Sequence, residues 1–145
     1  MDYGPLGRTG IEVSRICLGT MTFGEQNNEA EGHAQLDAAL QAGVNFIDTA
    51  EMYPIAARAE TFGRTEIIIG TWLRARKCRD KVILATKICG PAPHLPYIRG
   101  GNIRHDRRQL EEALDASLKR LGTDYADLYQ IHWPDRLAVP FASLG

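Results

Sequence analysis

The stretch GVNFIDTAEMYP, residues 43–54, decides the fold. Its first half is a mainly apolar, β-branched run that ends on a carboxylate, Asp48, and a phenol, Tyr53, follows five positions later. Val, Ile and Phe suit a pleated and buried surface. The run therefore predicts a short strand over 44–48 with a charge at its carboxyl end. Three more runs of this kind, ICLGT at 16–20, VILAT at 82–86 and DLYQI at 127–131, predict further strands. All four are too continuous for half-exposed antiparallel strands, so the expectation is a parallel sheet buried on both faces.

Helical spacing fills the intervals. Leu36, Ala39 and Leu40 predict a helix over 28–41 that stops before Gly43. Ile67, Ile68, Trp72 and Leu73 predict another over 60–77. The clearest pattern is Leu110, Ala113, Leu114, Ser117, Leu118 and Leu121, a helix over 106–121 with Gly122 as its stop. Asp106 and Gln109 are placed to form a capping box at its start. Ahead of the first strand, DYGPLGRTGIEVS reads as a hairpin that turns between Gly7 and Gly10. The segment 88–105, ICGPAPHLPYIRGGNIRH, carries three prolines and three glycines and reads as a long loop of the kind kept for function.

The order of strand, helix and parallel strand allows either an open doubly wound sheet or a (β/α)8 barrel. No G-x-G-x-x-G follows any of the strands, which favours the barrel. At 145 residues the chain is long enough for one domain, expected to span 1–145. Its 44% hydrophobic and 24% charged content and net charge of −1 are those of a globular protein with no basic excess, which argues against nucleic-acid binding. Three cysteines without a C-x-x-C suggest neither a disulfide framework nor zinc. No run is long enough to span a bilayer and the first residues lack the pattern of a signal peptide, so a cytoplasmic, reduced protein is expected.

The polar residues at the strand ends then form a pattern. Asp48, Lys87 and His132 follow the second, third and fourth strands, and Thr20 and Met21 leave the first. The carboxyl ends of parallel strands are where catalytic groups gather in such folds. Tyr53 is close enough in sequence to turn back over the same rim. An ammonium beside a phenol stabilises the phenolate, a carboxylate can hold that ammonium in place, and an imidazole can orient a carbonyl oxygen. Together they suit a proton donor aimed at a developing alkoxide. No nucleophile elbow, zinc-protease helix or phosphate loop is present, and His33, His94 and His105 lack metal-ligand spacing and read as solvated surface. Cys89 reads as a small unreactive hydrophobe near the pocket.

At these residues the sequence resembles the aldo-keto reductase superfamily. The resemblance rests on LGTMTFGEQN (18–27), GVNFIDTAEMYP (43–54), RTEIIIGTWL (64–73), LATK (84–87) and SLKRLGTDYADLYQIHWPD (117–135). GTMTFGEQN and AEMYP are most similar to its bacterial Tas-like branch, related to the potassium-channel β-subunit group. The resemblance implies a (β/α)8 TIM barrel whose hairpin closes the bottom, NADPH at the carboxyl rim, and a small aldehyde or ketone as substrate. It places the family's catalytic tetrad on Asp48, Tyr53, Lys87 and His132, with Tyr53 as the acid and His132 orienting the substrate. Thr20, Met21, Gln26 and Asp48 take the positions of cofactor contacts.

A closed barrel needs about 250 residues. The expectation is therefore an incomplete barrel, the N-terminal half of a reductase with a hairpin, about four βα units and the tail RLAVPFASLG as a loop. Most cofactor contacts would lie in the other half, so NADPH binding by this chain alone is expected to be weak or absent. The alternatives are a non-catalytic half-barrel that associates with another copy or chain through its open edges, and a regulatory subunit that keeps the fold for binding.

Overall fold

The computed structural model describes residues 1–135, so the RLAVPFASLG segment lies outside the described residues. Strands β1 (Tyr3–Pro5) and β2 (Glu12–Ser14) pair antiparallel as the expected hairpin. Four more strands follow: β3 (Cys17–Gly19), β4 (Phe46–Asp48), β5 (Ile83–Ile88) and β6 (Leu128–Ile131). They lie side by side in chain order, every neighbouring pair parallel. Between them run α1 (Glu29–Gln41), α2 (Arg64–Arg76) and α3 (Arg107–Leu121). This is the βα repeat that the strand positions predicted.

The helix ends show where local chemistry overrode the sequence reading. α1 starts on a full capping box in which the Asn28 side chain accepts from Glu31 N and the Glu31 carboxylate accepts from Asn28 N. At α3 only half of the expected box forms. Asp106 accepts from Gln109 N, but the Gln109 side chain accepts from Arg104 N and donates to the Asn102 carbonyl, backbone groups with no helical partner. α2 begins at Arg64 rather than Glu60, because Gly63 takes a left-handed φ of 74° and breaks the run.

Register puts Gly19, Asp48, Ala85 and Leu128 on one row across the sheet. Side chains alternate along each strand. Ile47 and Leu84 therefore face the helices and join Leu36, Ile68, Ile69, Trp72 and Leu121 in the main core. Each such large apolar side chain contributes roughly 1.5–3 kcal/mol by leaving water. Gly70 allows α2 to approach the end of α3 closely, since a Cβ there would lie 2.5 Å from the Arg120 carbonyl oxygen.

The opposite row departs from the expectation of burial on both faces. Among the described residues the helices cover one face, and on the other only Ala85 is buried, while Phe46, Ile83, Leu128 and Gln130 are partly exposed and Cys17 and Gly19 more so. The hairpin is fastened to the amino end of β4. Asn45 donates to Glu12 O and accepts from Ser14 N, and the Tyr3 hydroxyl donates to Gly43 O at 2.7 Å. At the carboxyl ends the 88–105 loop folds back as a second apolar cluster, in which Cys89, Ala92, Leu95, Ile98 and Ile103 pack on Met52 and Tyr53. No helix among the described residues is long and apolar enough to cross a membrane.

Candidate active site

The rim is built by strand register. Asp48 closes β4, and Lys87, the fifth residue of β5, reaches it from the neighbouring strand with Nζ 2.5 Å from Asp48 Oδ2. The same ammonium donates to Thr49 O at 2.8 Å. Lys87 is half-buried, so two oxygens replace much of the water it loses. The other Asp48 oxygen, Oδ1, accepts from Gln130 Nε2 at 2.9 Å. Gln130 is the β6 residue in register with Lys87.

Tyr53 leaves β4 through a tight turn, its N–H donating to Ala50 O, and comes back buried over the rim at 8% exposure. Its hydroxyl lies 3.5 Å from His132 Nε2. Lys87 Nζ stands over the face of the ring, 4.9 Å from its centroid, rather than at the hydroxyl. His132 extends the ladder past β6, its N–H donating to Ile88 O, and its ring meets Tyr53 edge-on. Burial, and then the Lys87 charge, push the His132 pKa down from 6.5 to about 4. The imidazole is thus neutral at neutral pH, with one N–H to donate and one ring nitrogen to accept. Its Nδ1 is buried without a partner among the described residues.

Four sequence candidates, Asp48, Tyr53, Lys87 and His132, therefore converge from three strands and one loop. Thr20 is fully buried beside them, its hydroxyl donating to Asp48 O at 2.8 Å. Met21 is 50% exposed at the end of β3, and Gln26 is exposed in the turn 22–27. The space in front of Gly19 is open, with nothing among the described residues within 4 Å of where a Cβ would lie, so a flat ring has room beside Asp48. No group of three His, Cys, Asp or Glu among the described residues is placed to hold a metal.

Two functional neighbours escaped the sequence reading. Glu51, 1% exposed, accepts from Cys89 N and takes both terminal nitrogens of Arg99 from the 88–105 loop. Nothing in the spacing of Glu51 and Arg99 signals that pair. Gln130 had a signal, because it stands two positions before His132 and so shares its side of the strand. Two histidines read as solvated surface are also partnered. His33 Nε2 bridges α1 to Thr71 and Ile68 O on α2, while His105 lies against Cys89 O and accepts from Asp135 N. Cys89 is fully buried against Met52, and burial pushes its thiol up to about 12, which keeps it inert.

The chain as a whole is similar to known proteins. The sequence model of the Aldo/keto reductase family matches residues 15–141. The chain is 50% identical to Protein tas of Escherichia coli (strain K12) over 145 residues, all of this chain and 42% of that protein. It is 42% identical to the 6-dehydroglucose reductase of Novosphingobium aromaticivorans over 141 residues, 96% of this chain and 44% of that one. Among solved structures it is similar to the thermostable aldo-keto reductase Tm1743, crystallised with the inhibitor epalrestat, at a TM-score of 0.72 and 34% identity, over 96% of this chain and 45% of that one. The chain thus spans about two fifths of the length of these relatives.

Proposed function

The chain belongs to the aldo/keto reductase family, and on that premise we propose that it carries the catalytic rim of an NADPH-dependent reductase that converts a small aldehyde or ketone to the alcohol. The carrying observation is the unbroken sequence of contacts from Gln130 and Asp48 through Lys87 to the Tyr53 ring and on to His132. The family match and the name of the Novosphingobium relative, a 6-dehydroglucose reductase, support the same reading.

Met21, Gln26 and Asp48 would hold the nicotinamide cofactor, and the open space before Gly19 leaves room for its flat ring; Thr20, expected among these contacts, is instead fully buried and bonded to the Asp48 carbonyl, where it steadies Asp48 from behind. When bound, the cofactor supplies a hydride for the carbonyl carbon. Tyr53 gives its hydroxyl proton to the carbonyl oxygen as negative charge develops there. Lys87, fixed by Asp48, offsets the charge left on the phenolate. His132, neutral because it is buried beside that ammonium, donates a hydrogen bond that orients the carbonyl oxygen instead of competing as an acid.

The test is aldehyde-dependent NADPH oxidation by the purified protein, with NADPH binding followed separately by fluorescence titration. Tyr53→Phe should lower turnover by about 10²- to 10⁴-fold, the usual weight of a general acid, and leave NADPH affinity unchanged. NADPH binding without carbonyl reduction by the wild type, or equal turnover in the variant, refutes the proposal.

A further inference from the structure

Gln130 sits on β6 directly opposite Lys87, and the two side chains grip the same carboxylate from neighbouring strands: Lys87 Nζ at Asp48 Oδ2 and Gln130 Nε2 at Asp48 Oδ1. We infer that Gln130 is a positioning residue for the reductase chemistry, acting through Asp48. The inference rests on the reductase reading above. A carboxylate at a strand end turns freely about its terminal torsion, which is broad and twofold. One ammonium bonded to one oxygen leaves that rotation soft, since a single contact fixes a point and not a plane. A second donor on the other oxygen fixes the plane, and hence the direction in which Asp48 presents Oδ2 to Lys87.

Among the described residues the carboxylate has no other side-chain donor. The Thr20 hydroxyl is bound to the Asp48 main-chain carbonyl, and Lys87 already divides its donors between Asp48 and Thr49 O. Because β6 is an edge among the described strands and Gln130 is partly exposed, its loss leaves the main helix-facing core untouched. Its contribution is therefore to the aim of Lys87 at the Tyr53 ring rather than to folding.

The experiment uses two variants and steady-state kinetics across pH. Gln130→Met keeps the length of the side chain and removes the donor; turnover should fall about tenfold, the order of one hydrogen bond to a charged group, with KM and NADPH affinity within about twofold of wild type. Gln130→Glu puts a second carboxylate against Asp48. It should be slower than wild type at neutral pH and recover towards wild type on acidification, because a protonated Glu again donates to Asp48 Oδ1. A purely structural residue would lower stability in both variants and give neither the turnover-specific loss nor the acid recovery. Turnover of Gln130→Met within about twofold of wild type, or identical pH profiles for the two variants, overturns the positioning role alone. A wild type that binds NADPH without any carbonyl reduction refutes the reductase reading, and this role with it.

Discussion

Replacing Glu51 by Gln should unfasten the candidate site from its covering loop. Glu51 is 1% exposed, its Oε1 accepts from Cys89 N at 2.6 Å and Arg99 at 2.5 Å, and its Oε2 accepts from Arg99 at 2.9 Å. Its own N–H donates to Lys87 O, so one residue ties the Tyr53 turn, the end of β5 and the 88–105 loop together. A glutamine has one acceptor for three donors, and its amide would face Arg99 donor to donor. Arg99, with a side chain 12% exposed, would then be a nearly buried charge without a counter-charge. Burial already opposes that charge, and the bonds from Glu51 outweigh it to hold the guanidinium protonated. Breaking such a pair from one side costs about 3–5 kcal/mol. The lower end is expected here, because Arg99 retains some access to water. Equilibrium urea unfolding would measure the loss. Adding Arg99→Met should recover about half of it, because the glutamine oxygen is then free to accept from Cys89 N, and the buried amide left without an acceptor keeps the rest at roughly 1–3 kcal/mol. A loss below about 1 kcal/mol, or simple additivity in the double variant, would refute the reasoning.

The titration of His132 gives a pH signature. Its folded pKa is lowered, so the unfolded chain binds the proton more readily; its contribution to stability is complete above pH 6.5 and declines as pH falls towards about 4. Thermal melts over that range should show a slope that His132→Asn removes, and an unchanged slope would contradict the burial-driven shift. Gly70→Ala should destabilise the fold by about 1–3 kcal/mol through forced separation of α2 and α3, because the new Cβ meets backbone that cannot rotate away. A melting temperature equal to wild type would show that the helices part without cost.

Several elements were legible because their determinants are local. Asp106 and Gly122 bracket α3 by side-chain capping and a left-handed φ of 66°, both residue-level properties. The rim placement of Asp48, Lys87 and His132 was legible because parallel strands end on one edge, whereas their reading as a tetrad with Tyr53 came from the family resemblance. The full box at Asn28 could have been found from its Glu31 partner, whereas the Glu51–Arg99 pair could not, since Arg99 comes from an irregular loop whose path no periodicity encodes. Burial on both faces was misjudged because apolar composition sets what a strand tolerates, and neighbours set what it receives.

The sequence by itself determined the alternation of strand and helix, the parallel pairing, and the placement of Asp48, Lys87 and His132 at the strand ends, because patterning and residue chemistry act over a few positions. Only the tertiary structure decided what those groups do to one another. It set Lys87 over the Tyr53 ring, left the hydroxyl beside a His132 made neutral by burial, and brought Gln130 and Glu51 in from 82 and 48 residues away along the chain, to Asp48 and Arg99 respectively. Distances, desolvation and shared partners belong to chain segments brought together by folding, and a linear pattern of residue types carries none of them.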